Sequence, residues 1–457
     1  MSVVSRGRGQ SAVAAAAYRT GTALRDERYA VTHNYAGKRG ILHSELVAPA
    51  GAPAWARDRQ SLWNRVEACE RRKDSQLARL IEVGLPAELS TAQCVTLLRD
   101  YLRGFIDKGM IADFAIRGNG SNPHAHILLT LRSLTAAGFG SKERHWNGKA
   151  LLVAWRTAWA GAVNQHLANA GHAVRIDHRT LDAQQIELEP HRRIGMRRNR
   201  PGAAPAHLTE RLEERQRIAE QNGAVICEDP TVALRALTHQ RPTFTSADLE
   251  KFLQSRTGSA EQCRAAVRAV LDSPEIVPLA HGRLTSRDML EAENSLVRRT
   301  RAMCDRRGNG VSAERRRAVL ALYPLQETER QIFDYLVGEG DAKALVLADA
   351  QKAAILEAAH HAWASQGMTV IVAGQSAAQA GSGPGTVLLM DECQLIPLKE
   401  LEGAIAAVDK ARGKTALIVD ADRLNAMKVE SAFHSVLRHA GSPVSFSPPT
   451  SPPVSIG

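Results

Sequence analysis

Apolar and polar positions in the first 190 residues follow two periods, one helical and one extended. Helical spacing predicts helices over residues 11–24, 61–78, 91–108 and 151–170. Short apolar runs predict strands over residues 78–83, 112–117 and 124–131. The polar loop 118–123 joins the last two strands, as in an antiparallel hairpin. Because strands and helices seldom alternate regularly here, the pattern favours an α+β fold with an antiparallel sheet covered by helices.

The pattern changes near residue 344, where apolar strands begin to alternate with helices. The predicted strands are Ala344–Leu347, Thr369–Ala373, Thr386–Met390 and Thr415–Val419. Helices are predicted near residues 350–366, 399–412 and 426–439. This alternation is typical of a parallel sheet in an α/β domain. Residues 228–325 are predicted to be helical and charged, and their arginines either line a solvated face or contact DNA.

The length and charge of the chain limit its organisation and its partners. A chain of 457 residues is expected to hold two or three domains. We predict a mixed domain (1–190), a basic linker (191–227), a helical region (228–325), an α/β domain (326–440) and a disordered tail (441–457). The net charge of +11 favours a nucleic acid as partner, ahead of an acidic membrane surface. Aromatic residues make up only 4% of the chain, which disfavours a base-stacking platform.

Cysteine usage and hydropathy indicate the compartment. The six cysteines are scattered without C-x-x-C spacing, so we expect reduced thiols rather than disulfides or a zinc cluster. The N-terminus has no apolar core of signal-peptide length, and no apolar run approaches a membrane span. We therefore expect a cytoplasmic protein without membrane insertion.

Two features carry candidate chemistry. His124 and His126 lie at i and i+2 in a predicted strand, so their side chains project from one face and can present two imidazoles to a divalent metal. A half-exposed polar pair is the alternative. Tyr18 follows four alanines on a predicted helix, which either presents its hydroxyl or packs its ring on the sheet. In a basic protein the combination suggests a tyrosine that attacks a DNA phosphodiester polarised by the metal.

Short motifs occur in a fixed order through residues 1–190. They are Gly9–Gly21, Gly51–Trp55, Leu62–Asn64, Leu85–Leu89, Asn122–His126, Gly138–Lys142, Trp146–Asn147 and Val174–Leu181. In this order they resemble the MobA/MobL relaxases of plasmid transfer, including the relaxase half of Ti-plasmid-type TraA proteins. The resemblance implies an HUH-endonuclease-like sheet, Tyr18 as nucleophile, and His124 and His126 as ligands of Mg²⁺ or Mn²⁺.

The same resemblance implies a function and a set of partners. The expected activity is site- and strand-specific nicking of a plasmid transfer origin, for conjugation in a bacterial cytoplasm. The expected partners are single-stranded and origin DNA, relaxosome accessory proteins and a type IV secretion coupling protein. We predict DNA contacts at seven arginines: Arg19, Arg117, Arg179, Arg192, Arg193, Arg197 and Arg198. Asp177-His178-Arg179 matches a recurrent family motif, for which DNA contact, domain closure and a structural salt-bridge cluster are all open.

Three departures from the family pattern bear on activity. Arg117 stands where the family places a third histidine, and a guanidinium cannot ligate a metal. Either Arg117 binds the scissile phosphate, or Asp113 on the same strand face completes the metal shell. Glu82 alone remains of a pair of accessory acids, since Leu80 replaces the other. The chain begins almost at the turn that follows the family's first strand, so we expect a sheet lacking one strand, with an exposed edge.

The C-terminal α/β segment resembles the early part of the helicase domain that follows the relaxase in TraA proteins. Asp391 and Glu392 end a strand, as do the acids that hold Mg²⁺ and water in P-loop ATPases. The phosphate loop GxxxxGK[ST] is lost, however, and Ala348–Ala353 retains only Lys352. We therefore predict a degenerate RecA-type domain that does not hydrolyse ATP.

The sequence thus favours a relaxase joined to a truncated, degenerate helicase-like region. The main alternative is a catalytically impaired DNA-binding remnant or accessory factor, to which Arg117, Leu80 and the lost phosphate loop point. An ATP-driven helicase ranks third.

Overall fold

The computed structural model divides the chain into two compact units, residues 1–172 and 173–457. It describes residues 1–118, 122–135, 138–143, 146, 148–190, 206–373, 385–391, 393–426 and 432–440. Several sequence predictions fall outside the described residues, namely Arg192, Arg193, Arg197, Arg198, Glu392 and the tail 441–457. The division into five segments stays a prediction.

The first unit is built around an antiparallel sheet. Its elements are β1 (Ser2–Ser5), α1 (Ala12–Thr20), β2 (Ala23–Asp26), β3 (Val31–Asn34), β4 (Ile41–Val47), α2 (Arg59–Cys69), β5 (Gln76–Gly84), α3 (Thr91–Ile106), β6 (Ala112–Arg117), β7 (His124–Thr130), β8 (Arg132–Thr135), β9 (Gly138–Lys142) and α4 (Lys149–Asn169). Five strands form the sheet in the order β1-β5-β7-β6-β4. The antiparallel sheet and the β6–β7 hairpin are as predicted. The helix predicted over 61–78 is wrong at its end, because residues from Gln76 onward pair as β5.

A first strand is present, contrary to the expectation of a sheet short by one strand. β1 pairs antiparallel with β5, with Ser2 opposite Leu80 and Val4 opposite Ala78. The Val4 side chain is buried in the core, which holds this four-residue strand in place. The turn that follows is fixed by Arg6, whose guanidinium forms a buried ion pair with Glu67 at 2.6 Å. The edge beside β5 is therefore covered.

Helices pack on the sheet through small and aromatic side chains. On α1 the buried positions are Ala12, Val13, Ala16, Ala17 and Thr20, which lets the helix approach the sheet closely. α3 and α4 share an aromatic cluster in which the Phe105 and Trp155 rings lie 5.0 Å apart. In the same cluster the Trp159 ring meets Tyr101 edge-on at 5.0 Å. These tryptophans therefore form core rather than a stacking surface.

The second unit combines a helical region with a parallel sheet. Its elements are α5 (Ala206–Glu228), α6 (Pro230–Gln240), α7 (Ser246–Gln254), α8 (Ala260–Leu271), β10 (Ile276–Pro278), β11 (Leu284–Ser286), α9 (Arg287–Cys304), α10 (Ala313–Leu322), α11 (Glu327–Val337), β12 (Ala342–Leu347), α12 (Asp349–Ser365), β13 (Thr369–Ala373), β14 (Thr386–Asp391), α13 (Leu398–Lys410), β15 (Lys414–Asp420), α14 (Ala421–Ala426) and α15 (Ala432–Ala440). The parallel order β12-β15-β14-β13 confirms the predicted βα alternation. Successive residues of β12 enter two separate apolar clusters, because both faces of the sheet are covered.

Two further expectations can be compared with the structure. All six cysteines lie within the described residues, and all are free thiols. Among the described helices, none has the length and apolar character needed to span a bilayer.

Candidate active site

Helix α1 is anchored at its N-terminus by two buried acids. The Ser11 hydroxyl caps the helix by accepting from the Ala14 amide, and donates to Asp26 at 2.5 Å. The Ala12 amide donates to the Glu67 carboxylate at 2.7 Å. A carboxylate at a helix N-terminus is stabilised by the helix dipole, and Arg6 in turn holds Glu67. The helix is thus fixed, and Tyr18 lies in its last turn.

Tyr18 is presented to solvent rather than packed on the sheet. Its side chain is 48% exposed, and its ring meets Tyr35 edge-on at a centroid distance of 5.3 Å. The helix ends at Gly21, which adopts a φ of +66° and donates to the Ala17 carbonyl. The positive φ favours glycine at this position, and a Cβ there would also displace the end of the Ile41 side chain, whose Cδ1 would lie 2.3 Å away.

Two cations lie against the Tyr18 ring. Lys38 Nζ is 2.8 Å from the ring centroid and donates to the Tyr18 backbone carbonyl at 2.9 Å. The Arg117 guanidinium carbon lies 5.5 Å from the same centroid. Burial, assisted by the positive charges of Arg117 and Arg19, lowers the pKa of Lys38 to about 7. Sequence reasoning missed Lys38, because a lysine in a short polar turn carries no periodic or motif signal.

The histidines share one face of the sheet with Arg117. His126 lies opposite Glu82 of β5, and His124 lies opposite Arg117 of β6. Residues directly opposite in antiparallel strands point to the same side, so these four side chains face the same way. The two imidazole rings are 5.2 Å apart, centroid to centroid. Arg117 therefore contacts the Tyr18 ring and faces the histidine pair.

Both imidazoles are suited to bind a metal. His124 Nδ1 lies 3.0 Å from the Asn122 carbonyl oxygen, and by donating to it would leave Nε2 as the ligand atom. His126 Nδ1 is buried and makes no hydrogen bond within the described part of the chain. Burial first, and then the positive charge of Arg19, lowers the pKa of His126 to about 3. His126 is therefore neutral at physiological pH, the form that ligates metals.

The rest of the ligand set departs from what the sequence suggested. Asp113, a candidate for the third ligand, is buried and accepts from Arg59 Nε at 2.9 Å and from Trp63 Nε1 at 2.9 Å. Both oxygens of the Asp113 carboxylate accept hydrogen bonds inside the core. Ligating a metal would break the ion pair between Asp113 and Arg59. Among the described residues, no third acid, histidine or cysteine joins His124 and His126 in a three-ligand group. The two histidines fit a metal, and Arg117 does not.

Arg179 lies in an ion-pair cluster of the second unit, where its guanidinium is occupied. It donates to Asp177 at 2.6 Å and also pairs with Glu400, while His239 Nε2 lies 2.9 Å from Asp177. Burial raises the pKa of Asp177, but the hydrogen bonds from His239 and Arg179 outweigh it and leave the pKa below its usual range. The ligand atoms of Asp177, His239 and Glu400 lie within 4.8 Å of one another, but Arg179 already neutralises the two acids. The structure thus shows Arg179 in a salt-bridge cluster, the third alternative for this motif, and its contact with DNA stays a prediction.

The site of the lost phosphate loop is also closed by an ion pair. Lys352 lies on α12, directly after β12, and its Nζ is 2.6 Å from Asp391 Oδ2 at the end of β14. Of the three residues predicted to mark the degenerate nucleotide site, Lys352 and Asp391 lie together, and Glu392 is outside the described residues. The lysine that would bind phosphate in a P-loop is instead paired with the acid.

Comparison with known proteins gives consistent matches. Residues 10–201 match the model of the MobA/MobL family. The chain is 28% identical over 520 residues to the conjugal transfer protein TraA of Agrobacterium fabrum, an alignment that covers 96% of this chain and 47% of that protein. It is 35% identical over 250 residues to the mobilization protein MobL of Acidithiobacillus ferridurans, covering 47% of this chain and 64% of that protein.

A solved structure described as the molecular basis of vancomycin resistance transfer in Staphylococcus aureus also matches. It shares 34% identity, with 39% of this chain and 95% of that chain covered and a TM-score of 0.38. The chain spans about half the length of the TraA relatives that it matches.

Proposed function

Residues 10–201 of this chain belong to the MobA/MobL family, and we propose on that premise that the first unit is a conjugative relaxase that nicks one strand of a plasmid transfer origin through Tyr18. One observation supports this most directly. Arg117 lies 5.5 Å from the half-exposed Tyr18 ring and directly opposite His124, so one guanidinium joins the nucleophile to the histidine pair. The sheet is proposed to be of the HUH-endonuclease type.

The proposed reaction is a transesterification. The Tyr18 oxygen attacks the phosphorus of the scissile phosphodiester, forms a phosphotyrosine bond and releases a strand end with a free hydroxyl. Because the phosphotyrosine bond conserves the energy of the phosphodiester, the hydroxyl can later attack it and reseal the strand without ATP. The anchored helix α1 holds Tyr18 in place for both the nicking and the resealing reaction.

Positive charge at the phosphate is proposed to come from three sources. His124 and His126 would hold a divalent metal, which acts as a Lewis acid on the scissile phosphate. Arg117, in place of a third histidine, would bind a phosphate oxygen directly through its guanidinium donors. Arg19 adds positive potential at the site, where burial and the charge of Arg117 lower its own pKa. Glu82 faces His126 and remains a proposed accessory acid.

The partners follow from the basic charge and the family. Single-stranded and origin DNA would bind with a steep salt dependence, with a slope of about −0.9 per phosphate neutralised on duplex and about −0.7 on single strands. Relaxosome accessory proteins and a type IV coupling protein are proposed as further partners. Residues 326–440 are proposed to form a degenerate RecA-type domain without ATP hydrolysis, since the phosphate loop is lost at Ala348–Ala353.

A DNA-binding remnant without nicking activity is the competing function, and the cation at the third ligand position favours it. A nicking assay on supercoiled plasmid carrying the cognate origin, with Mg²⁺ or Mn²⁺, separates the two. The relaxase proposal expects protein-linked nicked DNA from the native chain and none from Tyr18→Phe. Salt-sensitive binding without any nick from the native chain would support the remnant.

A further inference from the structure

We propose that Lys38 is the general base of the nicking reaction: its amine accepts the proton of the Tyr18 hydroxyl as the phenolic oxygen attacks phosphorus. This inference rests on the proposed function, because it assigns a role within that reaction. A cation–π contact that only packs the Tyr18 ring is the competing role for Lys38.

The first support is position. Lys38 Nζ lies 2.8 Å from the Tyr18 ring centroid and 2.9 Å from the Tyr18 carbonyl oxygen, so it contacts both the side chain and the backbone of the nucleophile. The amine lies over the ring face and not at the hydroxyl, so it must swing along the ring to reach the hydrogen-bond distance that a general base requires. The lysine stem is flexible, and its amine already lies against the ring that carries the reacting hydroxyl.

The second support is the way in which the turn carrying Lys38 is held. The Lys38 amide donates to the Tyr35 carbonyl at 2.9 Å, and the Tyr35 amide donates to Thr22 just beyond α1. Gly40 closes the turn with a φ of +82°, a conformation that favours glycine. The turn is therefore bonded to the helix end that carries Tyr18.

The third support is the protonation state. The charged and titratable groups around the Lys38 amine are Tyr18 and Arg19 from α1, Tyr35 from its own turn, Arg117 from β6 and His126 from β7. Burial, with Arg117 and Arg19, brings the pKa of Lys38 to about 7. A base whose pKa lies near the working pH combines a free amine with adequate proton affinity.

The proposed step is balanced in atoms and electrons. The neutral Lys38 amine takes the Tyr18 proton while the phenolic oxygen forms a bond to phosphorus. The bond between phosphorus and the leaving deoxyribose oxygen breaks on the opposite side, where that oxygen takes a proton from water, and the Lys38 ammonium returns its proton to solvent. Resealing runs the same transfers in reverse, so Lys38 ends each cycle as it began.

The first test compares Lys38→Arg with the native chain. Arginine keeps the positive charge and the ring contact, but it stays protonated and cannot act as a base. We expect single-turnover adduct formation on a single-stranded origin oligonucleotide to fall by roughly 100-fold or more. In the native chain the rate should rise with pH through about 7 and then level, and Lys38→Arg should lose this rise. Equal oligonucleotide affinity and unfolding midpoint would show that the variant is folded.

Arg39→Gln is the matched control, because it removes one positive charge from the exposed neighbouring position. It should keep the rise in rate near pH 7, whatever it does to DNA affinity. Native-like rates and pH dependence in Lys38→Arg would overturn the proposal and leave Lys38 with a packing role.

The second test needs no DNA. Lysines of the full chain are methylated with ¹³C-formaldehyde, and the Lys38 signal is identified by its loss in Lys38→Arg. We expect it to titrate near 7, whereas a midpoint near the ordinary lysine value of about 10.4 would overturn the inference. The two tests separate the failures: a native chain that forms no adduct contradicts the proposed function itself. An adduct together with an ordinary Lys38 midpoint contradicts only the role of Lys38.

Discussion

The cations around Tyr18 differ in their pairing from the lysine at the lost phosphate loop of the second unit. Within the described part of the chain, Lys38, Arg19 and Arg117 form no ion pair with a carboxylate, although they lie close enough to lower one another's pKa or that of His126. In the second unit, Lys352 is paired with Asp391.

This difference indicates which region is prepared for a phosphate. Placing like charges together with no carboxylate at ion-pair distance costs stability, even though Asp113 and Glu82 act on Arg19 from farther away. Such an arrangement is expected where an anionic ligand supplies further negative charge. A cation that already has a carboxylate partner has less to gain from phosphate. The comparison therefore favours DNA chemistry in the first unit and a structural role for the ion pairs in the second.

The largest effect is expected from Tyr18→Phe. Removing one oxygen deletes the nucleophile, so the covalent adduct should disappear while the exposed ring and its neighbours remain. Gel analysis of labelled origin DNA measures the adduct. Tyr35→Phe is the control, since it removes a hydroxyl from the ring beside Tyr18 and should leave the adduct in place. An adduct that survives in Tyr18→Phe would move the nucleophile elsewhere.

Asp113→Ala should have the next largest effect, on folding rather than on chemistry. The change leaves Arg59 without its buried partner, which typically costs about 3–5 kcal/mol. Chemical denaturation should show an earlier transition of the first unit. Breaking the exposed Arg72–Asp74 pair with Asp74→Ala is the matched control and should change stability little. Native stability of Asp113→Ala, with weaker metal binding, would return Asp113 to the ligand set.

Arg117 offers a way to sharpen the comparison. Arg117→Ala should slow nicking by roughly 10²-fold, because one donor to the phosphate charge is lost. It should also lower the slope of the salt dependence on single strands by about 0.7. Arg117→His places a third imidazole opposite His124 and should tighten metal binding, measured by calorimetry without DNA. If Arg117→Ala nicks as fast as the native chain, the guanidinium does not contact the reacting phosphate.

The smallest effect is expected from Lys352→Met in the second unit. The pair with Asp391 is partly exposed, so its loss should cost no more than about 1 kcal/mol. Nicking by the first unit should be unchanged, and thermal unfolding should show only a small shift. A large loss of nicking in this variant would contradict the contrast between the two regions.

Much of the fold follows from local patterns in the sequence. The spacing of apolar residues predicts strands β6 and β7 and the βα alternation after residue 344. The period of two in a strand also predicts the shared face of His124 and His126. The first strand was missed because it has only four residues and is held by a single buried valine, Val4. A strand this short carries too few positions for a period to show.

The parts of the site that could not be predicted depend on long-range pairing. The contact between Lys38 and Tyr18 joins residues 20 positions apart. The β2–β3 hairpin brings them together, and no local motif in the sequence predicts how the chain returns from it. Asp113 could be placed on the correct strand face, but its partner Arg59 lies 54 positions away. The pattern of apolar and polar residues indicates which way a side chain points. Only the folded structure shows which partner that side chain already binds.

The most direct test of the central claim is intact-mass and peptide analysis of the full chain after incubation with a single-stranded origin oligonucleotide and Mn²⁺. The account predicts a protein that carries the cleaved strand, with the added mass on the peptide containing Tyr18. Salt-sensitive binding with no change in mass, or an adduct on another residue, would contradict it.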